Sequence, residues 1–373
     1  SEAFWDVPTS YSNGCHTGAY SAIIHPCVYG SEDGDVRVAL FGDSHALQWL
    51  PALDRAGDRE GWRVTTLTKT ACPSVDVTFT GAAFEGTEKP CRRWRQAALD
   101  WLKKNRQDVV IITNTGRYPI TDEDGERVYE LKKEPVWQDG LARVIDSLPK
   151  RTQVVVLADT PHLNKNPVSC LRQGEGIISD CVTRRARTLR PEHDDAERET
   201  AEANGALFAD LNDVVCPYDP CPIVSGKTLM WRNESHLTAT YAEQLAPAMR
   251  SLVEGALEVS IGGGTTSSGS APSVEIEIVV YDDHFEPGSI EASAGDELIV
   301  TLTNVGREKH NIAFYTEAGG LPLDESSIGP IVDPGKSATT LLKVPASGEF
   351  VFQDDEDPDR LRGTLIVAEA NAD

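Results

Sequence analysis

Apolar and polar positions follow two different periods along this chain. Short apolar runs at 36–42, 62–67, 109–113, 153–158 and 206–210 predict strands buried on both faces. Between them apolar residues recur at helical spacing. Leu47, Leu50 and Leu53 do so within 45–56, and Trp94, Ala98, Leu99 and Leu102 within 94–104. Further helices are predicted at 136–148, 183–204 and 236–253. Strands separated by helices imply α/β architecture, a parallel sheet covered on both faces. In such sheets reactive residues sit on the loops after strand C-termini. From 274 onward the period becomes two. Alternating runs at 274–280, 297–303, 311–314, 339–344, 350–352 and 363–367, bounded by Gly, Pro and Asp, predict an all-β sandwich.

A Gly/Ser-rich stretch at 261–273 separates the two patterns and reads as a flexible linker. The expected organisation is a domain at 1–260, the linker, and a second domain at 274–373. The chain starts at Ser1 without a signal-peptide pattern and is expected to be a mature or excised segment. Its 373 residues contain no apolar run approaching the ~18 residues of a membrane span. The net charge is −24, with 21 acids against 6 bases from 274 onward. That balance opposes binding to nucleic-acid phosphates or anionic membranes.

All eight cysteines precede residue 222: Cys15, Cys27, Cys72, Cys91, Cys170, Cys181, Cys216 and Cys221. An even number spaced as near neighbours suggests four disulfides in an oxidising, extracytoplasmic compartment. Eight cysteines allow 105 pairings, of which the sequential one is expected here. A zinc site is the competing reading, but no Cys-x-x-Cys occurs.

The first strand runs into Gly42-Asp43-Ser44-His45 and then directly into a helix. A serine at that junction has an exposed hydroxyl, and its own N–H can face a tetrahedral oxyanion. The competing reading is a helix cap, since Asp and Ser are favoured there. Late in the chain His236 stands on a loop before the last helix, where a base can approach Ser44 across the strand ends.

These words together resemble the SGNH hydrolase superfamily. The chain is more closely similar to the extracellular SGNH domains fused to membrane acyltransferase-3 proteins, which modify surface glycans. The likeness runs through Cys27-Val28-Tyr29-Gly30, 41–50, 68–73, Cys91-Arg92-Arg93-Trp94, Ala158-Asp159-Thr160-Pro161, Cys216 to Cys221 and His236-Leu237-Thr238, and covers about 15–255. It implies a flavodoxin-like three-layer α/β fold, with Ser44 as nucleophile and His236 as general base. The implied oxyanion hole uses the N–H groups of Ser44 and Ala71, with Asn114 as third donor. Asp43 is read as a structural hydrogen-bonding residue. The family's histidine partner is an Asp three residues earlier, but here that position is Asn233. A Ser–His dyad, a substitute carboxylate such as Glu234, and a weakened site all stay open. The implied activity is extracytoplasmic O-acyl transfer, of acetyl, to a cell-surface glycan, with a membrane acyltransferase-3 region or partner as acyl source. A secreted carbohydrate acetyl esterase and a weakened glycan- or protein-binding module are the alternatives.

The second part resembles a cupredoxin, through Tyr281–Pro287, Ala294-Gly295-Asp296, Asn304-Val305-Gly306, His310-Asn311 and 358–364. A blue-copper site needs two His, one Cys and a weak Met. His310 matches the first His. Asp354 falls where Cys belongs, Asp357 where the second His belongs and Leu361 where Met belongs. No cofactor and no metal are therefore expected. Asp354, Asp355, Glu356, Asp357 and Asp359 offer carboxylates to a hard cation such as Ca²⁺, but they read first as a solvated acidic loop.

Overall fold

The apolar runs before residue 210 assemble one sheet. Its strands are β1 (His16–Thr17), β2 (Cys27–Gly30), β3 (Val36–Gly42), β4 (Trp62–Lys69), β5 (Val109–Thr113), β6 (Gln153–Leu157) and β7 (Leu207–Ala209). They lie in the order β1–β4–β3–β5–β6–β7, with β2 also paired to β4. Every pairing is parallel except that of β2. This computed structural model describes the chain apart from residues 1–2, 123, 129, 174–176, 262–272, 295, 318–322, 324–326, 345–346, 356, 359 and 369–373. The described chain divides into two compact units, 1–264 and 265–373. The expected linker falls almost wholly on 262–272, outside the described residues; Ile261 ends a helix and Ser273 begins a strand.

The helices are α1 (Ser44–Leu47), α2 (Leu50–Glu60), α3 (Glu88–Lys104), α4 (Glu130–Ser147), α5 (Pro167–Gln173), α6 (Pro191–Ala203), α7 (Asn212–Val215), α8 (Ala239–Gln244) and α9 (Ala246–Ile261). Side chains alternate across the strands and build two cores. Val38, Leu40 and Ile111 meet Leu53, Ala242, Met249 and Val253 of α2, α8 and α9 on one face. Ala39, Phe41 and Ile112 meet Trp94, Ala98, Trp137 and Leu141 of α3 and α4 on the other. The result is the three-layer α/β fold that strand–helix alternation implies. Each fully buried tryptophan removes roughly 200 Å² from water, about 5 kcal/mol of transfer free energy before chain entropy is subtracted.

Element ends depart from the periodicity for local reasons. The predicted helix 183–204 begins only at Pro191, because proline suits the first turn and breaks the helix before it. The predicted helix 236–253 starts after Thr238, whose hydroxyl accepts the Tyr241 N–H and caps α8. His236 is thereby left on the loop. The β2 strand has no apolar alternation to announce it, and none of its four residues is fully buried.

The cysteines pair in sequence order, Cys15–Cys27, Cys72–Cys91, Cys170–Cys181 and Cys216–Cys221, and none is free. Four disulfides fit an oxidising, extracytoplasmic setting. No helix among the described residues is long and apolar enough to cross a membrane.

In the second unit the strands are β8 (Ser273–Val280), β9 (Phe285–Glu286), β10 (Ser289–Ser293), β11 (Glu297–Asn304), β12 (Ala313–Tyr315), β13 (Ser337–Lys343), β14 (Gly348–Gln353) and β15 (Arg362–Ala368). They form two four-stranded sheets, β9–β8–β11–β13 and β10–β15–β14–β12. Ile278, Val300 and Leu302 from one sheet and Phe314, Phe352 and Leu365 from the other fill the core between them.

Candidate active site

Strand register brings the loops of interest to one edge. Gly42 pairs with Thr68 of β4 and Thr113 of β5, so the residues that follow leave the sheet side by side. A Cβ on Gly42 would lie 1.9 Å from the Thr113 carbonyl oxygen and 2.8 Å from Ala46 Cβ. Only glycine lets β3 turn into α1 so close to β5. Asp43 then caps α1, its carboxylate accepting from the N–H of His45 at 2.8 Å. Its second oxygen accepts from the Thr115 N–H at 3.0 Å and the Tyr118 hydroxyl at 2.8 Å. Burial raises the Asp43 pKa against these donors. Asp43 is thus a structural tie between the two loops.

Ser44 and His236, 192 residues apart, meet across this edge. The Ser44 hydroxyl donates to His236 Nε2 at 2.9 Å. His236 Nδ1 in turn donates to Asn233 Oδ1 at 3.1 Å. The same Asn233 oxygen accepts from the N–H groups of Ser235 at 2.9 Å and His236 at 2.8 Å. Those backbone groups only donate, so the amide orientation and the histidine tautomer are fixed together. Glu234 is not brought to His236: its carboxylate accepts from Asn166 Nδ2 at 3.1 Å, on the exposed side of the loop. Gln48 locks the loop from below. It accepts the Leu237 N–H at 2.9 Å and donates to Thr160 Oγ1 at 3.0 Å. Burial first, then the charges of His45 and Arg232, hold His236 well below its ordinary pKa.

The expected oxyanion donors line the same edge. Asn114 directly follows β5 and is buried. Its oxygen accepts from the N–H of Ser74 at 2.7 Å and from Ser74 Oγ at 3.0 Å, while its Nδ2 is buried without a partner. Ala71 has φ 51°, the only non-glycine residue with positive φ among the described residues. That left-handed conformation costs a residue with a side chain roughly 1 kcal/mol. The neighbouring Cys72–Cys91 bond and Arg95 brace it; Arg95 donates to the carbonyls of Pro73 at 3.1 Å and Val75 at 2.6 Å. The N–H groups of Ser44 and Ala71 enter no hydrogen bond within the described residues.

The sequence assigns no role to His45, Asp159 or His162. Asp159 follows β6, and its carboxylate is largely buried. It accepts from His45 Nδ1 at 2.6 Å and from His162 Nε2 at 3.0 Å. These three side chains place one ligand atom each within 4.8 Å of the others. At 2.6 and 3.0 Å their separations are hydrogen-bond lengths, and the trio forms a bonded network. Burial would raise Asp159, but the two imidazoles outweigh it and hold it well below the carboxylate range. The one signal of this network in the sequence is an acidic residue at a strand C-terminus.

Residues 14–251 match the family described as "SGNH domain (fused to AT3 domains)", well over half of the sequence, and the chain belongs to that family. Residues 259–367 match the cupredoxin-like domain family. Among solved structures the chain is similar to the periplasmic domain of a lipopolysaccharide acetyltransferase from Salmonella ser. Paratyphi A. That match has 16% identity, covers 66% of this chain and 88% of the other, and has a TM-score of 0.47. The second unit is similar to auracyanin from Roseiflexus castenholzii, with 24% identity, coverage of 26% and 98%, and a TM-score of 0.23. It is also similar to a purple cupredoxin from Nitrosopumilus maritimus, with 19% identity, coverage of 25% and 99%, and a TM-score of 0.21. No curated protein sequence gives a significant match. The SGNH domain supports acyl-transfer or esterase chemistry for the first unit.

Cupredoxins imply copper, and the residues here do not fit it. Asp354 occupies the expected thiolate position and accepts from His310 Nδ1 at 2.7 Å, with both groups almost wholly buried. Its other oxygen accepts from the Asn311 N–H at 3.0 Å. A blue-copper centre needs a thiolate and a free imidazole nitrogen. Asp355 accepts from Tyr315 at 2.6 Å and from Asn311 Nδ2 at 3.1 Å, and Asp357 pairs with Arg360 at 3.1 Å. Of the three, Asp354 is buried and bonded to His310, whereas Asp355 is exposed and Asp357 half-exposed, each with a protein donor. Glu356 and Asp359 lie outside the described residues.

Proposed function

We propose that the first unit is an extracytoplasmic O-acyltransferase, with acetyl as the acyl group, acting on hydroxyls of a cell-surface glycan through an acyl-Ser44 intermediate. The observation that carries this reading is the 2.9 Å bond from Ser44 to His236 Nε2, together with the buried Asn114 Nδ2 at the same sheet edge, which has no partner. Ser44 Oγ attacks the acyl carbonyl and passes its proton to His236 Nε2. The oxyanion that forms takes hydrogen bonds from the Ser44 and Ala71 N–H groups and Asn114 Nδ2. The donor alcohol leaves, and a sugar hydroxyl then attacks the acyl-serine. A membrane acyltransferase-3 region or partner is the proposed acyl source, and the four disulfides support a cell-surface or secreted location.

Asn233 sets the quality of the base. In a serine protease, Asp→Asn at the histidine's partner costs ~10⁴ in turnover because it leaves the wrong tautomer. Here Asn233 already selects the productive tautomer and lacks only the charge. Asn233→Asp is therefore expected to raise kcat on p-nitrophenyl acetate by about tenfold, not ~10⁴-fold. The added carboxylate also lifts His236 from its depressed pKa, so the acid limb of kcat/KM moves to higher pH. A steady-state pH profile of both proteins reads both changes.

The test of the whole reading is an acyl-trapping experiment. The purified chain is mixed with p-nitrophenyl acetate, and Ser44 is checked for an acetyl group by mass spectrometry, with and without an oligosaccharide acceptor. An adduct that moves to sugar supports the transferase. An adduct lost only to water at saturating sugar supports a secreted esterase instead. Absence of any adduct favours a weakened, binding-only site.

A further inference from the structure

The imidazole bonded to Ser44 has a second imidazole against it. The ring of His45 lies 4.6 Å from that of His236 and stacks at 5.0 Å on that of His162. His45 Nδ1 is committed to Asp159, whose other oxygen also accepts the Gly116 N–H at 3.3 Å. His45 Nε2 has no hydrogen-bond partner among the described residues, and the side chain keeps 4% exposure. We propose that His45 is the general acid of this site, donating its Nε2 proton to the departing oxygen, and that Asp159 is the residue that positions and charges it. This rests on the acyl-Ser44 reading above.

The environments of the two imidazoles divide the work. Burial opposes charge on His45, but the Asp159 carboxylate, backed by Asp43, outweighs it and raises its pKa. His236 is pushed the other way and stays a neutral base. Two neighbouring groups whose pKa values are driven apart make an acid and a base. The remaining charged or titratable groups facing His45 are His162 and Arg232. Burial lowers His162, so it titrates on the acid side and does not set a basic limb.

The protons balance over the cycle. In acylation the Ser44 Oγ–C bond forms and the serine proton goes to His236 Nε2. The bond from carbon to the departing oxygen breaks, its electron pair stays on that oxygen, and the His45 Nε2 proton neutralises it. In deacylation the acceptor hydroxyl attacks the same carbon and returns a proton to His45, while Ser44 Oγ leaves with the proton held by His236. Before and after each half-reaction one positive charge sits on the pair of rings; in the tetrahedral intermediate both are protonated, and the oxyanion between them balances the second charge. That exchange relieves a base with no carboxylate of its own.

The test compares leaving groups. p-Nitrophenolate leaves without needing a proton, whereas the sugar alkoxide of glucose pentaacetate does not. His45→Gln keeps an amide donor for Asp159 but has no proton to transfer. It is expected to lower turnover of glucose pentaacetate by about 10²-fold or more and of p-nitrophenyl acetate by less than about tenfold. Equal losses on the two esters overturn the proposal. Asp159→Asn gives an independent readout if His45→Gln does not fold. Without the carboxylate His45 loses its proton earlier, so the basic limb of kcat/KM on glucose pentaacetate moves to lower pH; a limb that stays in place overturns the proposal. Failure of the wild-type protein to acylate Ser44 with p-nitrophenyl acetate sinks the acyl-serine reading itself. Wild-type acylation with equal losses in His45→Gln sinks the acid assignment alone.

Discussion

Ser44→Ala is expected to lower turnover of p-nitrophenyl acetate by at least about 10⁴-fold and to leave no acetyl adduct on the protein. The change removes one oxygen whose hydrogen bond among the described side chains is to His236. Ser44 belongs to neither core cluster, so the thermal midpoint should stay within a few degrees of wild type. Residual turnover reports what the oxyanion donors and His236 achieve with water as nucleophile. Turnover at the wild-type rate in the Ala variant would place the nucleophile elsewhere. Thermal melts of both proteins separate loss of chemistry from loss of fold.

Asn114→Ala is expected to cost about 10²–10³ in kcat with little change in KM, the usual loss for one donor to a developing oxyanion. It also strips the acceptor from the Ser74 N–H and hydroxyl, a stability loss of about 1–3 kcal/mol. Asn114→Asp separates the two roles. An aspartate keeps the oxygen that holds Ser74 but replaces the donor with a second acceptor. Activity should fall at least as far as in the Ala variant, with less loss of stability. A fully active Asn114→Asp enzyme would mean that Nδ2 is not an oxyanion donor. Single-turnover acylation of Ser44 in each variant measures the effect at the step concerned.

The legible parts of this protein are those written in contiguous residues. The sheet shows in apolar runs, the sandwich in period-two alternation, and Ser44 in the word that joins β3 to α1. His236 is legible only together with the Gly42–His45 word, through the SGNH likeness, since alone it reads as a surface or cap histidine. What the sequence conceals depends on distant partners. His45 and Asp159 are 114 residues apart, so no local pattern joins them, whereas His310 and Asp354, 44 apart, are brought together in the sequence only by the cupredoxin likeness. Glu234 fails for the opposite reason. It adjoins Asn233 in sequence, but its side chain leaves on the outer side of the loop toward Asn166. Asn114 lies between, since a turn preference explains the residue type and only the unpartnered Nδ2 argues for more.

The pairing of all eight cysteines, together with the aspartate at position 354, has a practical meaning for probing this protein. No thiolate is present for alkylating agents, soft metal ions or peroxide to attack. Iodoacetamide and mercurials should leave activity untouched under non-reducing conditions. Broad electrophiles that usually scatter over cysteines are here confined to oxygen and nitrogen nucleophiles, so a fluorophosphonate label can be read as a count of competent serine sites.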